Sequence, residues 1–152
     1  MFPVICHASC KGVPMSNPTA ELSIEELGYQ LCVVNANDPP YFISMLLFHC
    51  RRMIAERGIS WSDLGTTEFE LQVMFNASRV KQLTKKLMAI LAINQRRPLN
   101  RRDAQRIWNV LEELERHNAD WRQLPIKRNS LLDIIEIAEE GYVHHTRPAQ
   151  TA

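Results

Sequence analysis

Apolar residues recur at threes and fours through most of this chain, the spacing of helices that bury one face, and no stretch alternates as a strand would. Ser23 followed by Glu26 has capping-box spacing and predicts a first helix over 24–34, with Leu27, Leu31 and Val34 on one face. Asp38-Pro39-Pro40 reads as an acidic cap with proline in the first turn, opening a helix that runs to Arg57 and stops at Gly58. Its apolar stripe comprises Phe42, Met45, Leu46, His49, Cys50 and Met53, widened by Ile43, Leu47 and Ile54, and His49 is read there as a hydrogen-bonded core histidine. Ser60-Trp61-Ser62-Asp63 predicts one short turn ended by Gly65.

Thr67 and Glu70 form another capping box and open the longest periodic region. Val73, Val80 and Leu87 recur every seven residues, interleaved with Leu83 and Ile90, a heptad-like seam suited to helix pairing within the chain or in a homodimer. Asn76 on that seam allows either one helix of about 25 residues or a kink near Asn76–Ser78. Asn100 caps the next helix, over 103–117, whose apolar face reads as Ala104, Ile107, Trp108, Leu111 and Leu114. A connector with Trp121 and Pro125 leads to a last helix, capped by Ser130 and ended by Gly141.

The expectation is therefore an all-α, bundle-like fold of five to six helices: a single domain over 20–143, a disordered leader over 1–19 and a flexible tail over 144–152. Either Met1 or Met15 can be the working start.

Charge changes this picture. The formal net charge is +1, but Arg79, Lys81, Lys85, Lys86, Arg96, Arg97, Arg101, Arg102 and Arg106 face a single acid, Asp103, in the stretch 79–106. The flanks are acidic, with eight acids to three bases over 16–78 and eight to four over 107–140. Lys81 and Lys85 are like charges one turn apart, and Arg101 and Arg102 oppose the macrodipole in a first helical turn; both arrangements disfavour the helix. Cations over a helix N-terminus suit a bound phosphate. Arg79, Lys81, Lys85, Lys86, Arg96, Arg97, Asn100, Arg101 and Arg102 are accordingly the candidate nucleic-acid contacts. The bland alternative pairs these arginines with Glu112, Glu113, Glu115, Glu139 and Glu140.

Two segments resemble DNA-binding motifs. Helix, connector, helix and Gly141-Tyr142-Val143 resemble the core of a winged-helix domain, whose reader would be the last helix; Asp133, Glu136 and Glu140 make that helix acidic, so it would repel phosphates. Ser60–Leu64 followed by Asn76–Leu83 resembles a helix-turn-helix pair with Arg79, Lys81, Gln82 and Lys85 on the reader.

No glycine-rich phosphate loop, nucleophile elbow, His-Glu-x-x-His or Cys-x-x-Cys is present, so no enzyme and no cofactor are expected. Cys6-His7-Ala8-Ser9-Cys10 lacks the second cysteine pair a zinc site needs. Cys32 and Cys50 lie in apolar patterns and read as free thiols, and neither a signal peptide nor a membrane span is apparent. The functional expectation is a cytoplasmic nucleic-acid-binding regulator, probing DNA in transcription regulation; the alternative is a helical adaptor or anti-activator whose basic loop docks on an acidic protein.

Overall fold

The computed structural model describes residues 23–146, with side chains to 140. The expected leader, the Cys6–Cys10 cluster and the tail beyond 146 lie outside them. The described residues are all-α: α1 (Ile24–Val33), α2 (Pro40–Arg57), α3 (Glu68–Ala92), α4 (Arg101–Arg116) and α5 (Arg128–Thr146), with 3-10 turns at Ser62–Leu64, Ile93–Gln95 and Trp121–Gln123. Among them there is no strand.

Where one core over 20–143 was expected, the chain divides into two compact units, meeting in sequence at Arg79 and Val80, each with its own hydrophobic cluster. In the first, the Ser23 capping box starts α1 as the spacing requires. Asp38 does not cap α2. Its carboxylate accepts the Asn35 N–H at 3.0 Å in the preceding turn, and Pro39 occupies the cap position. Gly58 ends α2 at φ 67°, a left-handed backbone open to glycine at no steric cost. α1 packs on α2, and Leu27, Ile43, Leu46, Cys50 and Leu71 fill the first core. Within the same unit Ser78 donates its hydroxyl to the Asp38 carbonyl, and Arg51 pairs with Glu68 at 2.6 Å. His49 is buried as expected, with its ring edge-on to Phe48, but its Nε2 meets no hydrogen-bond partner among the described residues. Burial pushes the Cys50 thiol up to about 12 against the opposing pull of Arg51. Cys32 departs from expectation: it is exposed and disulfide-bonded.

α3 is one helix of 25 residues, opened by the Thr67–Glu70 box, with no break at Asn76. The helix-turn-helix resemblance fails on this point, because Asn76–Leu83 is the middle of a long helix rather than a separate reader. The heptad seam also holds only in part. The first half of α3 buries Leu71 and Ser78, while Val73 is 49% exposed; the second half buries Leu83, Leu87 and Ile90, with Val80 packed alongside. These three leucine and isoleucine side chains sit in the chain's own second core and are not available to a partner.

That second core joins them to Leu99, Ala104, Ile107, Val110, Leu111, Leu114, Leu131, Ile135 and Ala138, with α4 and α5 packed on one another. α5 starts at Arg128, two residues before the expected Ser130 cap, and continues through Gly141 to Thr146. Gly141-Tyr142-Val143, the segment that would enter a wing, is therefore helical, which removes the winged-helix resemblance.

Leu87→Ala should lower unfolding stability by about 2–5 kcal/mol, the range for emptying a buried leucine site. In urea titrations that loss should be the same at every protein concentration, since a side chain in the chain's own core is not shared with a second copy. A loss that grows on dilution would return the residue to a dimer interface.

Candidate nucleic-acid interface

The basic stretch spans the second half of α3, the connector and the first turns of α4, and its one acid organises the connector. Asp103, 2% exposed, accepts Arg97 through both guanidinium nitrogens, Nη1 to Oδ2 at 2.7 Å and Nη2 to Oδ1 at 3.3 Å. Its Oδ2 also accepts the Asn100 N–H at 2.9 Å, while Asn100 Oδ1 accepts the Asp103 N–H at 3.0 Å, closing a capping box at the start of α4. Arg106 Nη1 stands 3.8 Å from Oδ1. Arg97 also donates to the Pro98 carbonyl at 3.1 Å. The Arg97 fork above all holds the Asp103 carboxyl below its usual range, against the opposing effect of burial, with help from the Asn100 amide. The same bond raises Arg97.

This geometry sorts the candidate residues. Asn100 caps α4, and both its side-chain oxygen and its backbone amide are engaged by Asp103. Arg97 is the clamp on that aspartate. Lys81, Lys85, Lys86, Arg96, Arg101 and Arg102 are all solvent-exposed, and Arg79 is half-buried on the same helix as the lysines. Since the only acid between 79 and 106 is buried, the stretch presents no carboxylate to solvent. Of the acids that could pair internally with the arginines, Glu115 is held by Arg128 on α5.

Four residues of α4 outside the candidate set stand beside it: Arg106, Trp108, Gln105 and Asn109. Arg106 lies beside Asp103 and is itself 47% exposed. Trp108, expected in the core, is 38% exposed, and Val110 takes the core position instead. Gln105 Nε2 donates to Asn109 Oδ1 at 3.0 Å one turn along α4. The i,i+4 spacing of Gln105 and Asn109 was a usable signal for that last pair; nothing local distinguishes Trp108 from Val110 as the buried residue.

No protein-family model matches the chain, and no curated protein or solved structure matches it significantly. Among the described residues no group of His, Cys, Asp and Glu is arranged to hold a metal ion, and no helix is long and apolar enough to cross a membrane.

Because folding lowers the Asp103 pKa, its stabilisation is complete well above the ordinary aspartate value of 3.8 and is lost as pH falls through the lower folded-state value. Asp103→Asn should cost roughly 1–3 kcal/mol at neutral pH, the scale of hydrogen bonds to a charged group, and should flatten the acid limb of stability against pH. Equal acid limbs in variant and parent, followed by circular dichroism in urea, would remove the clamp from this role.

Proposed function

We propose that the protein is a non-enzymatic, nucleic-acid-binding regulator that holds phosphates on the basic surface of α3 and the start of α4. One observation carries this reading: nine cations lie from Arg79 to Arg106, and the single acid among them is buried, so that stretch of chain presents one sign of charge to solvent. Exposed faces that serve only solubility normally interleave both signs, as the acidic flanks do with their arginines. A second feature agrees with it. Arg101 and Arg102 stand in the first turn of α4 against its macrodipole, an arrangement that an anion relieves.

Lys81, Lys85, Lys86, Arg96, Arg101 and Arg102 are the phosphate contacts in this reading, Arg79 contributes from the same helix, and Arg97 and Asn100 act indirectly by fixing the connector. DNA, and with it transcription regulation, is the favoured target. A homodimer would have to form without Leu83, Leu87 and Ile90. A cytoplasmic location belongs to the same proposal; the buried Cys50 thiol suits it, whereas the disulfide at Cys32 opposes it, such bonds being rare in reducing compartments.

Binding to a mixed-sequence duplex should fall steeply with salt, and Arg102→Ala should reduce the slope of log affinity against log salt by about 1, as expected for one lost phosphate contact. An Arg101→Ala, Arg102→Ala double variant should bind weakly while its circular dichroism spectrum is unchanged. Anisotropy that stays flat for the parent at low salt would end this reading and favour the adaptor alternative, in which the same basic surface docks on an acidic protein.

A further inference from the structure

α4 has a polar face opposite its buried one, and that face is chemically specific. At about 100° per residue, Arg101, Gln105, Trp108 and Asn109 fall within an arc of about 100°, which the exposed Glu112 shares one turn further along, whereas Ala104, Ile107, Val110, Leu111 and Leu114 cluster on the far side. All four of the first set are exposed, and all five of the second are buried. The basic reading above concerns phosphates only; it does not explain why a tryptophan stands exposed beside two amides.

The two amides are coupled. With Gln105 Nε2 donating to Asn109 Oδ1, both side chains lose rotamer freedom before any ligand arrives. The bond consumes one donor of Gln105 and one lone pair of Asn109. Gln105 Oε1 remains as an acceptor and the Asn109 amide as a donor, on adjacent turns of one helix. An adenine in the major groove shows the complementary pair, an N7 acceptor and an N6 donor, with the methyl group of its thymine partner alongside. A half-exposed indole is an apolar surface of the kind that packs on such a methyl.

Charge sets the direction of entry. Arg101, Arg102 and Arg106 occupy the first two turns of α4, whereas Glu112, Glu113 and Glu115, with Arg116, occupy the later ones, so the part of α4 before Glu112 is the part that approaches phosphates. The helix has 16 residues, about 24 Å, and the major groove of duplex DNA admits a helix of this width.

We infer that α4 is a DNA-reading helix, whose first two and a half turns, Arg101 to Asn109, enter the major groove and whose Gln105–Asn109 pair recognises the adenine edge of an A·T base pair. The inference rests on the nucleic-acid reading above and narrows it to duplex DNA, a groove and a base. It also assigns reading to Gln105, Asn109 and Trp108, none of which contributes charge.

The test is fluorescence anisotropy of the full chain with two duplexes of equal length at one salt concentration, one of A·T pairs only and one of G·C pairs only, with a third A·T duplex carrying 7-deazaadenine. That base lacks the N7 acceptor and leaves the minor groove unchanged. The parent should prefer the A·T duplex by about five- to 150-fold, the discrimination of one good two-point base contact. Replacing adenine by 7-deazaadenine should remove most of that preference. Asn109→Ala and Gln105→Ala should each remove it too, without weakening binding to the G·C duplex. Equal affinity for the A·T and G·C duplexes, or a preference that survives 7-deazaadenine or Asn109→Ala, overturns the reader assignment while leaving salt-dependent phosphate binding in place. Tighter binding to a single-stranded RNA than to either duplex overturns it as well. Binding to neither duplex nor RNA overturns this inference and the nucleic-acid reading together.

Discussion

A carboxylate removed from water stays ionised only if donors replace the water, and Asp103 obtains them from Arg97, from the Asn100 amide and, at longer range, from Arg106. This one cluster does three jobs. It ends the connector after α3, it caps α4, and it withdraws the only acid of the basic stretch from the surface. The neighbouring Leu99 and Ala104 enter the second core on either side of it, so the direction in which α4 leaves the connector is set by a charged clamp and a hydrophobic anchor together. Arg101 and Arg102, which disfavour the helix locally, are carried by a helix start that Asp103 stabilises.

The two cores explain why α3 looks regular in sequence and is not used regularly. Its first half serves Leu71 and Ser78 to the first unit, and its second half serves Leu83, Leu87 and Ile90 to the second. The seven-residue recurrence of Val73, Val80 and Leu87 spans both halves, yet Val73 is left exposed. A repeat in sequence records the period of a helix; it does not record where along that helix the packing partner changes. The lysines of α3 fall in the second half, in the same unit as the arginines of α4, which is why the basic residues belong to one compact unit with the exception of Arg79 at its edge.

In the proposed nucleic-acid reading, function rests on the sign of charge along one stretch and on side-chain pairing on one helix. A one-sign surface gives affinity without choice, because every phosphate is alike. In the proposed reading the Gln105–Asn109 pair adds neutral groups of defined donor and acceptor order at the α4 end of the basic stretch, the ingredient that affinity alone lacks. α5, with Asp133, Glu136 and Glu140 exposed, is excluded from the same task by its charge.

Residue types and spacing alone determined the helical class, the start of α1 from Ser23 and Glu26, the stops at Gly58 and Gly65, the start of α3 from Thr67 and Glu70, and Asn100 as a cap, because each depends on hydrogen bonds or backbone freedom within four residues. The basic stretch was equally legible, since charge is a property of composition. What needed the tertiary structure was every choice among residues that look alike locally: that Asp38 serves Asn35 and not α2, that α5 passes through Gly141, that Val110 and not Trp108 faces the core, and that Arg97 differs from Arg96 and Arg102 by holding a buried carboxylate. These depend on which distant side chains fill the space beside each position, and packing of that kind has no signature within a few residues of sequence.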